Sequence, residues 1–586
     1  MGEHPELQAE QAHIDRAYER LEALRATARE TLQTALKQRG GTFQAVEERE
    51  VMVGTMLQRL DQLDIGREAL VFGRIDREEG ERFHIGRLAV AAEDQEPLVV
   101  DWRAPVAEPF YRATGRHPMG LSRRRHFAAE GRVLHGIEDE LFSSNGAALA
   151  SDAVDDSEFQ PAGTGALLAA LERSRSGQMR DIVATVQKEQ DEVIRAELSG
   201  VLVVQGGPGT GKTAVALHRA AYLLYTHRFP LERQGVLVIG PNPVFLRYIG
   251  QVLPSLGESG VVLTTIEGLV SDVRVRGVDA PLAGRVKTDA RMAKVVARAL
   301  RDRQRPLRRD IVIGFGRHNV RFTAEESRRI VAQARPRPGA HNARRRAVEA
   351  MVGRALVQQV QRREELPAGT EDDVARELRR HPAIQEALNR MWPVLTPEEL
   401  LHDLFGAPPL IALAGRDLLS PEEQAALHRP RSQALGDIPW TAADVPLLDE
   451  ARVLLGTRKP LPPEREVRTY GHIVVDEAQD LTPMQLRMLG RRSISGSMTV
   501  VGDIAQATGH RAPSGWQEVL EHLATRRAPR VVELSVNYRT PAEIMDLAGR
   551  VLLAAAPGLR QPTSVRSTGE APTFVRAEDV VPAVVQ

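Results

Sequence analysis

Eight consecutive residues carry the densest chemistry in this chain: Gly206, Gly207, Pro208, Gly209, Thr210, Gly211, Lys212 and Thr213. They follow an apolar run, Val201 to Val204, that reads as a buried strand, and precede Ala214 to Tyr225, which reads as a helix. Strand, glycine-rich turn and helix in that order form a phosphate-binding loop. The glycines let the backbone curl around an anion, with loop N–H groups and the helix N-terminus aimed at it. Lys212 would reach the β- and γ-phosphates, and the Thr213 hydroxyl would ligate Mg²⁺.

A second set of candidates lies far downstream. His472 to Asp480 reads as a buried strand ending in paired carboxylates. Asp476 at the strand end would hold Mg²⁺, and Glu477 would orient and deprotonate an attacking water. Gln506, after the next strand, can hydrogen-bond a γ-phosphate or that water. Arg539, after the last strand, can stabilise charge on a transferred phosphoryl group. Its neighbour Tyr538 offers a ring face to adenine. Upstream, Gln190, or alternatively Gln187, can read the adenine edge through its amide.

These residues need a scaffold. The 586 residues are enough for several domains. Lys+Arg and Asp+Glu both total 78, so a generally basic nucleic-acid binder is not indicated, and contact with nucleic acid would depend on local patches. Absence of cysteine excludes disulfides and thiolate metal sites and fits a reducing cytoplasm. Apolar runs are too short to cross a membrane. Residues 1–66 read as an antiparallel helical hairpin. Its first stripe is Ile14, Ala17, Leu21, Leu24 and Ala28, its second is Val46, Val53, Met56, Leu60 and Leu63, and its tip lies near Gln38 to Phe43. Thirty helical residues would reach ~45 Å. Residues 67–150 read as a small β-rich module with strands at Val71 to Ile75, Arg82 to Ala89 and Leu98 to Asp101. Within it, Asp101-Trp102-Arg103-Ala104-Pro105 reads as a packed turn without chemistry. Residues 151–178 read as a linker.

A β-α-β rhythm then occupies 179–266, with a helix from about Met179 to Glu197 and strands at Val236 to Ile239 and Val261 to Thr265. It pauses over 267–469, a helix-rich stretch, and resumes over 470–555 with strands at His472 to Val475, Met498 to Val501 and Val531 to Leu534. The expected fold class is therefore α/β, a P-loop NTPase of RecA-like type with a hairpin, a β-rich module and a helical insertion. The insertion's Arg344-Arg345-Arg346 cluster is expected on a solvated helix face; contact with an acidic partner or a phosphate backbone is the other reading.

In order, these motifs resemble those of superfamily 1 UvrD/Rep-like helicases: the Gln190 region the Q motif, Gly206 to Thr213 motif I, Asp476 to Gln479 motif II, Gly502 to Gln506 motif III and Asn537-Tyr538-Arg539 motif IV. The hairpin, the segment Val99 to Pro105, the insertion and Trp440 to Glu450 are similar to the HelD proteins of Gram-positive bacteria, the actinobacterial form most of all. The resemblance implies a helicase-like ATPase using ATP and Mg²⁺, monomeric and cytoplasmic. Its implied partner is RNA polymerase core, from which it would expel nucleic acid, with the hairpin in the secondary channel and the insertion opening the clamp; some relatives protect polymerase from rifamycins. A UvrD-like DNA translocase and a non-catalytic polymerase plug are the alternative expectations. The sequence ends at Gln586 without motifs V and VI, so residues 556–586 are expected to begin an incomplete second motor domain, with full turnover in question. The connection from Gly456 to Tyr470 is short where some relatives carry a long acidic loop.

Overall fold

The computed structural model describes residues 5–38, 42–66, 68–142, 183–250, 261–316, 318–362, 371–457, 467–509, 512–523, 527–567 and 569–573. The expected linker at 151–178, the hairpin's Gly40-Gly41, the middle of the short connection before Tyr470 and the chain from 574 onward lie outside these residues.

Two helices, Leu7–Lys37 and Phe43–Gln62, open the chain. Thr42 caps the second by accepting from the Ala45 N–H. Arg25 donates to the Leu63 carbonyl and Arg49 to the Gln38 carbonyl, so the helices run antiparallel. The expected seam needs correcting. Ile14, Ala17 and Leu21 are buried in a core shared with Leu70, Val71, Val90, Val99 and Phe127 of the first sheet. Beyond Leu21, only Ala28 and Ala35 of the first helix are buried, while Val46, Val53, Met56 and Leu60 are half-buried. The apolar residues at the hairpin's base therefore serve the sheet, and the outer part is a thin helix pair.

That first sheet has six strands: β1 (Val71–Arg77), β2 (Arg82–Gly86), β3 (Val90–Ala91), β4 (Pro97–Asp101), β5 (Leu121–Glu130) and β6 (Val133–Leu141), in the order β3-β4-β2-β1-β5-β6. Only β2 and β4 pair in parallel. Sequence reading missed β5 and β6, because Arg123-Arg124-Arg125 resembles a surface turn. The charges are instead neutralised: Arg124 pairs with Glu140, and Arg125 with Asp139 and with Glu10 of the first helix.

The second sheet holds β7 (Val201–Gly206), β8 (Val236–Ile239) and β9 (Val261–Thr264); a separate antiparallel hairpin follows, β10 (Ile311–Phe315) with β11 (His318–Phe322). The sheet is completed by β12 (His472–Val475), β13 (Met498–Gly502) and β14 (Arg530–Leu534), in the order β14-β7-β13-β12-β8-β9. Every pairing in it is parallel. Leu202 and Val204 of β7 join one core, Val201 and Val203 the other. Alternation into two apolar layers is what a strand covered on both faces requires. The first layer also takes in Phe72, Trp102 and Phe110 from the first sheet's side, so the two sheets share a core. The helix expected from Met179 to Glu197 is shorter where it is described, Lys188–Ile194.

Between β9 and β12 the chain is mostly helical, with two separate apolar cores. One gathers Met292, Leu401, Phe405 and Leu448; the other gathers Phe322, Val352, Leu388 and Trp392 around the β10-β11 hairpin, which sequence reading also missed. The solvated-face expectation for Arg344-Arg345-Arg346 fails at its centre. Arg345 is buried and donates to the carbonyls of Leu388 (2.8 Å) and Trp392, to Asn389 (3.1 Å) and to Glu349 (2.7 Å). Arg344 donates to the Arg335 carbonyl and lies over the Trp392 ring. Guanidinium serves here as a multi-armed cap for the C-terminal carbonyls of helix Pro382–Met391. Truncating Arg345 to alanine strands several buried acceptors and is expected to cost about 3 kcal/mol. Chemical denaturation followed by circular dichroism checks this, with Arg345→Lys recovering little because a lysine cannot span the same carbonyls.

Candidate active site

Parallel pairing puts the C-terminal ends of β7, β12 and β13 side by side. The loop after β7 rises to Gly209, whose φ of +75° lies in the left-handed region. A Cβ there would collide with Asn537 Oδ1, so glycine is required twice over. Helix Lys212–Thr226 begins directly after the turn. Lys212 folds back onto its own loop, its Nζ donating to the carbonyls of Gly206 (2.7 Å) and Gly207 (3.0 Å). Thr210 Oγ1 donates to the Gly207 carbonyl, which braces the crest.

Thr213 meets Asp476. Its Oγ1 donates to Asp476 Oδ2 at 2.7 Å, across 263 residues of sequence. Asp476 is almost fully buried, and burial pushes its carboxyl up to about 6; the Thr213 hydrogen bond opposes the shift and the neighbouring Glu477 charge adds to it. Glu477 takes a left-handed backbone conformation, φ +50°, and its N–H donates to Asp476 Oδ1 at 3.0 Å. A non-glycine residue in that region is uncommon and marks a constrained turn. Gln479 Nε2 donates to Glu477 Oε2 at 2.8 Å.

The other expected residues divide. Arg539 stands beside Gly209 at the loop crest and is exposed. Gln506 is exposed apart from one bond, Nε2 to Asp503 Oδ2 at 2.6 Å. Gln190 is buried; its Oε1 accepts from the Gln187 N–H and its Nε2 donates to the Thr210 carbonyl. The amide expected to read adenine thus braces the loop. Gln187 is buried too and takes part in capping the same helix. Tyr538 departs from expectation as well: its ring packs with Val536 and Val565, so it offers adenine no open face. Burial, with the Glu189 charge, holds its phenol well above the ordinary range. Its backbone N–H donates to the Gly209 carbonyl, which joins this segment to the loop.

Sequence reading gave no role to Gln205, Gln479, Asp503 or Trp516, which form a buried hydrogen-bonded group behind Glu477 and Gln506. One cue was available. Gln205 is a polar residue closing an all-apolar strand, and such a residue needs polar partners.

The ends of a parallel sheet, a glycine loop entering a helix and a threonine-carboxylate contact define a mixed α/β protein with a polar site at its strand ends. Residues 7–156 match the family model for the N-terminal domain of DNA helicase IV HelD, and residues 186–240 match that for the UvrD/REP helicase N-terminal domain. Over these two segments the chain is similar to HelD-like proteins of the UvrD-type, helicase-like class. No curated protein matches the chain. No helix among the described residues is long and apolar enough to cross a membrane.

The raised Asp476 carboxyl has a stability consequence. Its folded value, about 6, lies above the ordinary 3.8, so the fold favours the neutral acid. Stability therefore falls as pH rises from about 4 to about 6 and levels off above that. Asp476→Asn removes the ionised form. It is expected to stabilise by up to about 3 kcal/mol above pH 6, with the gain vanishing below pH 4. Thermal melts of both proteins across that range measure it; a gain that does not depend on pH contradicts the assignment.

Proposed function

We propose that this chain is an ATP-hydrolysing, HelD-like factor that binds RNA polymerase core and releases stalled or idle polymerase from nucleic acid. The observation that carries the reading is the combination of the Thr213–Asp476 contact beneath a lysine-bearing glycine loop with an N-terminal region matching HelD. In this reading residues 179–266 and 470–555 form one P-loop motor of RecA-like type. Residues 1–66 and 67–150 are its hairpin and β-rich module, 267–469 its insertion, and 556–586 the start of a second motor domain.

ATP phosphates would lie in the loop from Gly206 to Thr213. Lys212 would exchange its two loop carbonyls for phosphate oxygens, a trade of neutral for charge-assisted hydrogen bonds. The hydroxyl of Thr213 and the carboxylate of Asp476 are hard oxygen donors side by side, the set that suits Mg²⁺. When bound, Mg²⁺ would supply charge neutralisation on the phosphates and favour ionised Asp476. Glu477 holds the attacking water and takes its proton. Arg539, exposed at the crest, supplies positive charge to the transferred group. Gln506, its amide oriented by Asp503, senses the same group with its second N–H. Gln190 acts mainly by fixing the loop, and Tyr538 meets adenine only if its segment opens.

A DNA-translocating reading is favoured by one observation: both matched families are described as helicases. Co-elution with purified RNA polymerase core on a sizing column, with single-stranded DNA as parallel bait, separates the two. Retention by polymerase alone is expected; retention by DNA alone sinks the proposal. Lys212→Ala is expected to lower ATP hydrolysis by at least roughly a hundred-fold while leaving polymerase binding intact. If release of polymerase persists in that variant, the factor is a steric plug and not an ATP-driven one.

A further inference from the structure

Gln205 closes β7 one residue before the glycine loop, opposite Gly502 of β13 and Glu533 of β14. It is 6 % exposed, so its amide is satisfied by protein or not at all. Oε1 accepts from the Ile504 N–H at 3.2 Å and from the Trp516 indole N–H at 2.8 Å. Both partners are donors only, which fixes the orientation of the amide. Nε2 then donates to Asp503 Oδ1 at 2.8 Å.

Asp503 passes the constraint on in two directions. Its Oδ2 accepts from Gln506 Nε2 at 2.6 Å. Its backbone N–H donates to Gln479 Oε1 at 3.0 Å, and Gln479 Nε2 holds Glu477 Oε2 at 2.8 Å. Gly502 makes room for this chain, because a Cβ there would strike Gln479 Oε1 and lie 3.0 Å from the Trp516 ring. Gln479 and Asp503 are each 3 % exposed, so the links run through a water-poor interior where hydrogen bonds are directional and costly to break.

We infer that Gln205 is a positioning residue for nucleotide hydrolysis, fixing Gln506 through Asp503 and Glu477 through Asp503 and Gln479. The inference rests on the ATPase reading above. Gln205 touches none of the groups assigned to phosphate, so removing it should leave nucleotide binding in place and displace the groups that act on water and γ-phosphate.

The test compares steady-state ATP hydrolysis of full-length wild type, Gln205→Leu, Gln205→Glu and Lys212→Ala, free and with RNA polymerase core. Gln205→Leu keeps the volume and removes the polar links. Its kcat is expected to fall roughly ten-fold or more, with KM for ATP within about two-fold of wild type. Gln205→Glu brings a second carboxyl to Asp503; protonated, it can donate and accept as the amide does. Its kcat relative to wild type at the same pH is expected to rise as pH is lowered from 8 to 6, a response that a merely space-filling residue does not produce. Wild-type kcat in Gln205→Leu overturns the inference, and so does a pH-independent ratio for Gln205→Glu. Absence of hydrolysis in wild type, or undiminished hydrolysis in Lys212→Ala, overturns the ATPase reading and takes this inference with it. Should Gln205→Leu fail to fold, the isosteric Gln205→Glu decides alone.

Discussion

The hydrogen bond between Thr213 and Asp476 is the contact that everything else in the site depends on. It can form only if β7 and β12 end at the same level with β13 between them, and parallel register provides that: Val501 stands beside Val204, and Val475 beside Val500. The register follows from apolar alternation, because a slip of one residue would turn Val201 and Val203 into the opposite core layer. Burial of aliphatic side chains thus places two polar atoms 2.7 Å apart. The same burial raises the carboxyl of Asp476, so the sheet that builds the site also stores an unfavourable ionisation within it.

Helix Lys188–Ile194 spreads this placement outward through three consecutive residues. Glu189 accepts from Ser535 and Val536 after β14, Gln190 holds the loop at Thr210, and Asp191 pairs with Arg195. Arg195 in turn donates to the carbonyls of Trp102 and Arg103 in the first sheet's turn. Arg219, from the helix that leaves the loop, donates to the carbonyls of Val193, Ile194, Ala196 and Glu197, so a buried cation closes the helix C-terminus. A helix of two turns is held at its start by the loop and by the segment after β14, and at its end by the helix that leaves the loop. The turn Asp101-Trp102-Arg103, chemically silent as a sequence, proves to be the joint between the two sheets.

What could be read from sequence follows the same physics. Val201–Val204, Val236–Ile239 and His472–Val475 announce themselves as strands because both of their faces are apolar, and the glycine loop is legible because its spacing answers a single steric need. β5 was illegible because its arginines are neutralised by carboxylates from β6 and the first helix, partners that no local window contains. Arg345 was misread for the same reason, as its acceptors are carbonyls more than forty residues downstream. Gln190 and Tyr538 both bond the glycine loop, but their side chains turn inward. Motif order identifies a position; only packing decides which way a flexible amide or ring faces.

A comparable long-range pairing ties the helical region to the site. Asp449 and Glu450, on helix Asp444–Leu455, are buried, and their carboxylates are taken by Arg487, Arg491 and Arg492. Those arginines lie on or just after helix Pro483–Gly490, which follows Asp476 to Asp480 directly. Two buried carboxylates are shared among three guanidinium groups, and removing Asp449 would leave the buried Arg492 without its carboxylate. Through these ion pairs the helix that follows the turn after β12 is joined to helix Asp444–Leu455, and so to the apolar core that holds Leu447 and Leu448.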